Sequence, residues 1–258
     1  MKTKTTDRLR KGISPAALLC SLALIFTPAA ASADPMVSVT DGSTQEYDTN
    51  YAIDVPQNMV GTPAVYVGGL NGGTVRFKNN LTINNDTPMG SLMQPQGIQV
   101  KLQSTSGNTI VEVLGKALIN TREVAVNADA YNSDTYSAEV RLGDGSEINS
   151  ANNVALSAHR SGLIAVGDGA KITGNSYGAT VATIVASSGG RVEIGNNAEI
   201  GQIATNYSAN RIALLSYNTT GSPNGYVRVG DNSRIYSLGT GEGSSAVVAG
   251  YLLSLIHI

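Results

Sequence analysis

One nine-residue pattern, written six times without gaps, constrains this chain more than any other feature. The copies start at Val75 (VRFKNNLTI), Val111 (VEVLGKALI), Val140 (VRLGDGSEI), Ile164 (IAVGDGAKI), Val192 (VEIGNNAEI) and Val227 (VRVGDNSRI). Positions one, three and nine are apolar in every copy, and position nine is always isoleucine: Ile83, Ile119, Ile148, Ile172, Ile200 and Ile235. The middle is turn-like, as in Gly143-Asp144-Gly145, Gly167-Asp168-Gly169, Gly195-Asn196-Asn197 and Gly230-Asp231-Asn232. Alternating apolar residues, a corner of Gly and Asn or Asp, and a return to an inward Ile read as strand, tight turn, strand.

A second strand lies between successive copies. It is written Ala64-Val65-Tyr66-Val67, Ile98-Gln99-Val100, Val124-Ala125-Val126, Val154-Ala155-Leu156, Val181-Ala182-Thr183-Ile184, Ile212-Ala213-Leu214-Leu215 and Ala246-Val247-Val248. The copies are offset by 36, 29, 24, 28 and 35 residues, so the unit is constant and its connections vary. That is how a solenoid of six to seven irregular coils reads. A β-sandwich also has short strands at regular spacing, but it gives no reason for residues some thirty positions apart to correlate. Here they do. Position two runs Arg76, Glu112, Arg141, Ala165, Glu193, Arg228, and position eight runs Thr82, Leu118, Glu147, Lys171, Glu199, Arg234. Every adjacent pair of charges is of opposite sign, as expected where equivalent residues of successive coils stack about 4.8 Å apart. The spacing predicts Glu147, Lys171, Glu199 and Arg234 in one column along a parallel β-helix. Residues 34–63 follow the repeat poorly and are expected to form an irregular first coil or N-terminal cap, with repeats over 64–252.

Composition narrows the classes further. The chain has 258 residues with 14% charged and 5% aromatic side chains, 29 Gly, one Cys and no Trp, which excludes a coiled coil and a disulfide framework. The N-terminus reads as an address. Lys2, Lys4, Arg8, Arg10 and Lys11 precede an apolar run from Ile13 to Phe26, then Pro28 and Ala31-Ser32-Ala33. This is the pattern of a secretory signal peptide over residues 1–33, cleaved after Ala33, and it takes the single Cys20 with it. The leader carries five of the 17 basic and one of the 19 acidic residues, so the mature chain holds 12 against 18, a net charge of −6. An acidic exported chain has no electrostatic case for nucleic acid. The last six residues, Leu253-Ser254-Leu255-Ile256-His257-Ile258, correspond codon by codon to CTG TCT CTT ATA CAC ATC, the mosaic end of a sequencing adapter. They are expected to be adapter read-through, the natural protein continuing past Leu252; the alternative is an ordinary apolar C-terminal strand.

The leader, the absence of Cys after Ala33 and the degenerate V-x-V-G-D/N-G/N-S/A-x-I coils together resemble the passenger region of a bacterial autotransporter. That resemblance covers Thr62 to Leu252 and implies an all-β, right-handed parallel β-helix of the pertactin-like or pectate-lyase-like kind. It also implies export across the inner membrane, passage through the outer membrane by a C-terminal β-barrel translocator, and display at the cell surface or release. The function it implies is a structural or adhesive stalk, binding glycans or proteins of a host or neighbouring cell through loops and a lateral face. The alternative is a polysaccharide lyase or glycoside hydrolase on the same scaffold, which needs carboxylates converging on one groove.

Reactive chemistry is sparse. The Asx column of Asp144, Asp168 and Asp231, with Asn79 and Asn196 at equivalent places, could be a metal or catalytic ladder, but Asn and Gly substitute there and the expected role is capping of the turn's own backbone. His159, in Ala158-His159-Arg160-Ser161-Gly162, reads as a solvated turn residue, and no G-x-S-x-G elbow accompanies it. Gly239-Thr240-Gly241-Glu242-Gly243 lacks the Lys of a phosphate-binding loop. No catalytic residue, cofactor or metal ligand is therefore assigned. The best candidates for surface contacts are Tyr131, Tyr136, Tyr207, Tyr217 and Tyr226, because Tyr supplies amphipathic area at small entropic cost.

Overall fold

The computed structural model describes residues 36–88, 95–103, 107–131, 137–175, 182–202, 212–218, 222–237 and 245–249. The described residues form one compact unit. Its strands run in triplets, one triplet to a coil. The first coil is β1 (Val37–Val39), β2 (Thr44–Tyr47) and β3 (Tyr51–Asp54); the second is β4 (Val65–Gly69), β5 (Gly73–Phe77) and β6 (Leu81–Asn85). The third is β7 (Gln96–Leu102), β8 (Thr109–Val113) and β9 (Ala117–Thr121), and the fourth β10 (Val124–Ala130), β11 (Ala138–Leu142) and β12 (Glu147–Ser150). The fifth is β13 (Leu156–His159), β14 (Gly162–Val166) and β15 (Lys171–Gly174). The sixth is β16 (Ile184–Ser187), β17 (Arg191–Ile194) and β18 (Glu199–Gln202), and the seventh β19 (Ile212–Tyr217), β20 (Tyr226–Val229) and β21 (Arg234–Ser237), followed by β22 (Ser245–Ala249).

Each strand pairs in parallel with its equivalent one coil away. Three parallel sheets result: sheet A from β1, β4, β7, β10, β13, β16, β19 and β22; sheet B from β2 to β20; and sheet C from β3 to β21. The fold is a right-handed parallel β-helix of about seven coils. The segment expected as an irregular first coil or cap places one strand in each sheet, with Val37↔Val65, Gln45↔Val75 and Ile53↔Ile83 in register.

Period-two alternation accounts for the core. In sheet C the ninth-position residues Ile83, Ile119, Ile148, Ile172 and Ile200 stack on Ile53 of the first coil, all buried, and the partly buried Ile235 continues the stack. Sheet B contributes Val75, Val111, Val140, Ile164, Val192 and Val227, and sheet A contributes Val65, Ile98, Val126, Leu156, Ile184 and Leu214. Each large aliphatic side chain so buried stabilises by about 1.5–3 kcal/mol. Its neighbours above and below are near-copies of itself, so one coil alone leaves both faces of its rung in water.

The charge columns fall where the spacing put them: Glu147↔Lys171, Lys171↔Glu199 and Glu199↔Arg234 are register partners in sheet C. Arg76↔Glu112↔Arg141↔Ala165↔Glu193↔Arg228 run through sheet B. Among the described residues the ion pairs follow the columns only at the N-terminal end. Arg76 sits between Glu46 (2.9 Å) and Glu112 (2.7 Å), and Lys78 joins Glu46 to Asp48. Glu147, in contrast, pairs with Lys116 at the corner of the coil before (2.7 Å), and Arg141 turns along its own strand to Glu139. Exposed pairs gain too little to impose one geometry.

Candidate functional site

The three connections of a coil differ sharply in length. The B-to-C corner is short in every coil (48–50, 78–80, 114–116, 143–146, 167–170, 195–198, 230–233). Both flanks of sheet A vary: A-to-B connections range from 160–161 to 218–225, and C-to-A connections from 122–123 to 55–64. Sheet A is thus the face framed by variable loops, and its outward side chains are where the sequence departs most from a bland ladder.

Two axial rows stand on that face. The first is Tyr66, Gln99, Asn127 and Ser157, continued by Val185 and Leu215; the second is Lys101, Asp129, His159, Ser187 and Tyr217. Tyr66 lies across Gly68, where a Cβ would come within 2.6 Å of its Oη, and burial raises its phenol above the ordinary value. Val185 and Leu215 are buried in a second apolar cluster with Val154, Ala182 and Ile212, against which Tyr217 packs.

His159 departs from the solvated turn residue expected of it. It closes β13, half-buried, with Nε2 2.7 Å from Ser157 Oγ and Nδ1 2.5 Å from Ser187 Oγ. A neutral imidazole has one donor and one acceptor nitrogen, so one serine donates to the ring and the other accepts from it. Burial lowers its pKa, opposed by Asp129 and assisted by Arg160. Asp129 takes Arg160 Nε at 2.7 Å and Nη2 as well, a bidentate pair. The carboxylate is therefore bonded to the arginine, while a serine occupies the ring nitrogen that a Ser-His-Asp relay would give to an acid.

The turn beside it is strained. Arg160 (φ 46°) and Ser161 (φ 65°) both adopt left-handed backbone, which side chains with a Cβ rarely do. The pair to Asp129 and the stacking of the Arg160 guanidinium on Tyr131, 4.2 Å from the ring centroid, hold it there. Of the five candidate tyrosines, Tyr131 stands exposed beside Arg160, and Tyr217 ends the Asp129–His159–Ser187 row two coils further on. Tyr226 opens β20 in sheet B, in register with Arg191. Tyr136 and Tyr207 lie outside the described residues, as do the leader and the last six residues.

The amides of the first row behave unlike the same residue types elsewhere. On sheet C, Asp54, Asn84, Asn120, Asn149 and Thr173 occupy one row. They bond along it: Asn84 Nδ2 donates to Asp54 Oδ1 (2.7 Å), Asn120 Nδ2 to Asn84 Oδ1 (3.2 Å) and Thr173 Oγ1 to Asn149 Oδ1 (2.8 Å). On sheet A, Gln99 and Asn127 stand at the same stagger, yet neither side chain finds a partner among the described residues, and Asn127 Oδ1 is shielded from solvent as well. An unpartnered buried carbonyl costs about 1–3 kcal/mol.

The Asx column also differs from its expected role. Its members cap the next coil rather than their own: Asp144 Oδ1 accepts Asp168 N–H (2.9 Å), Asp168 Oδ1 accepts Asn196 N–H (2.7 Å) and Asn196 Oδ1 accepts Asp231 N–H (2.9 Å). Asn79 takes no part; its side chain donates to the Asp48 carbonyl. These oxygens are engaged in holding coils together, and among the described residues no three metal-binding side chains cluster. Compared with known protein families, characterised proteins and solved structures, the chain matches none.

Proposed function

We propose that this chain is an exported autotransporter passenger fragment, displayed at the cell surface or released, that serves as a structural and adhesive stalk. It binds glycans or proteins of an adjoining surface through the outer face of sheet A and the loops on either side, and reaches that surface through a β-barrel translocator. One observation carries the reading: beside the shielded Asn127, the partly exposed Gln99 side chain leaves its hydrogen-bonding groups unused among the described residues of the loop-framed face, while the amides Asn84 and Asn120 of sheet C bond along their row. Tyr66 at one end of that row supplies a flat amphipathic surface. Against the polysaccharide-degrading alternative stands the engagement of the carboxylates: Asp129 with Arg160, Glu112 with Arg76, Glu147 with Lys116.

The test is retention of the full exported chain on an array of immobilised glycans and extracellular-matrix proteins. Wild type is compared with a Gln99→Leu/Asn127→Leu double variant and with Arg228→Gln on sheet B, all checked for folding by circular dichroism. Retention on a subset of surfaces, lost in the double variant and kept by Arg228→Gln, is expected. A chain retained nowhere, or a double variant retained as well as wild type, overturns the proposal.

A further inference from the structure

Five Asx–Gly steps occur in the described residues: Asp41-Gly42, Asn71-Gly72, Asp144-Gly145, Asp168-Gly169 and Asn224-Gly225. Such a step is chemically labile because a glycine leaves its own amide nitrogen unhindered toward the preceding side-chain carbonyl. Four of the five are locked. Gly42 N–H donates to Gly72 O (3.1 Å), Gly145 N–H to Asp168 O (2.7 Å), Gly169 N–H to Asn196 O (2.7 Å) and Gly225 N–H to Tyr217 O (3.2 Å). A nitrogen so bonded keeps its proton and its orientation. Gly72 N–H alone has no hydrogen-bond partner among the described residues. Asn71 before it is exposed, in the connection between β4 and β5, and Gly72 is in left-handed backbone (φ 68°).

We infer that Asn71 is a site of spontaneous covalent modification. The Gly72 nitrogen, having given its proton to hydroxide, attacks Asn71 Cγ; the new N–Cγ bond forms as the Cγ–Nδ2 bond breaks, and ammonia leaves with a proton from water. The succinimide ring is opened by one water molecule. Attack at Cγ restores the ordinary backbone with aspartate at 71; attack at the main-chain carbonyl carbon gives isoaspartate, which routes the backbone through the side chain. No oxidation or reduction takes place, and the net change is amide plus water to carboxylate plus ammonium.

The position gives the change a structural consequence. Gly72 O accepts the Gly42 N–H of the first coil, and Gly73 N–H donates to Asn108 O of the third, 3.1 Å each. A Cβ at Gly72 would lie 2.5 Å from Asn108 O, so the three coils meet closely there. An extra backbone carbon at Asn71 displaces both links and loosens the first coil from the second.

The experiment is peptide mapping of the full chain after incubation at 37 °C and mildly alkaline pH, native and in denaturing urea. Asn71 is expected to convert in the native chain about tenfold faster than Asn224, the scale that one hydrogen bond on the nitrogen sets. In urea the two sites converge. Conversion speeds up with rising pH, and limited proteolysis of the aged native chain cuts first within 36–54, a change abolished in Asn71→Gln. Native conversion at Asn224 as fast as at Asn71, or an Asn71 that stays intact while the urea sample converts, overturns the inference.

Discussion

The first three coils and the last four solve the same corner in two ways. In the early coils the B-to-C corner carries its ladder on position six of the repeat: Asn50 Oδ1 accepts Asn80 N–H (3.2 Å), and Asn80 Oδ1 accepts Lys116 N–H (2.9 Å). In the later coils it runs one residue earlier, on Asp144, Asp168, Asn196 and Asp231, and position six turns left-handed at Gly145 (65°), Gly169 (68°), Asn197 (56°) and Asn232 (57°). The shift brings successive corners closer. A Cβ at Gly167 or Gly195 would stand 2.2 Å from the Oδ1 of the preceding Asp, whereas the early coils carry Lys78 and Leu114 at that position. Ser146 splices the two ladders: its Oγ accepts Ala117 N–H (3.1 Å) and donates to Gly143 O (2.6 Å). The early coils add a ring cluster of Tyr47, Tyr51 and Phe77, with Tyr47 stacked on Phe77 at 4.9 Å, and the Glu46–Arg76–Lys78 ion-pair network, neither of which has a counterpart among the described residues of the later coils. A repeat that looks uniform is thus two blocks with a common core and different fastenings.

The largest expected effect tests what is common. Ile83→Ala and Ile172→Ala should each destabilise by about 2–5 kcal/mol in urea unfolding, because both empty the same stack; a clear disparity would mean that the core differs too. Next, Gly195→Ala should cost about 1–3 kcal/mol by overpacking, while Leu114→Ala at the equivalent early position, where the side chain is exposed, should stay within about 0.5 kcal/mol. The ladder itself is tested by Asp168→Ala and Asn80→Ala, each losing a bond worth about 1 kcal/mol, against a near-neutral Asp231→Ala, whose side chain accepts no amide in the described residues.

Smaller still are the titrations, which separate the blocks by pH. His159 belongs to the later block, and burial holds its pKa below the ordinary 6.5. The unfolded chain then binds the proton first, so stability is whole above about pH 6.5 and falls as pH drops toward the folded value. His159→Gln should flatten the melting temperature between neutral pH and about pH 5. Glu46 belongs to the early block, and Lys78, then Arg76, hold its carboxyl low. Its contribution persists above the ordinary glutamate value near 4.3 and is lost only as pH falls through the lower folded value. Glu46→Gln should therefore change the profile only in acid, and high salt should mimic it.

Most of the architecture was legible because it is periodic. Fixed apolar positions and sign alternation in two columns need only the period, and the register of Glu147, Lys171, Glu199 and Arg234 came from it. The fastenings were less legible because they depend on where the backbone turns. Sequence alignment puts Asn79 with the Asx column, yet Asn80 carries the ladder, since the early corner lacks the left-handed residue that would aim position five along the axis. His159 is hard to read for another reason. Of its two hydrogen-bond partners only Ser157 is local; Ser187 lies 28 residues away and its register neighbour Asp129 lies 30, and the register of sheet A brings them together. That signal is present in the spacing of Val126, Leu156 and Ile184; the column three places beyond each holds Asp129, His159 and Ser187.

The splice at Ser146 has a mechanical side. Under an axial pull, ladders in series each carry the full load, so the junction with the fewest side-chain rungs yields first. Between Lys116, whose side chain offers no acceptor to the next corner, and Asp144, where the second ladder begins, a single serine hydroxyl stands in for an Asx rung. The two blocks would part there first, dividing the extension of this protein into two steps of unequal length.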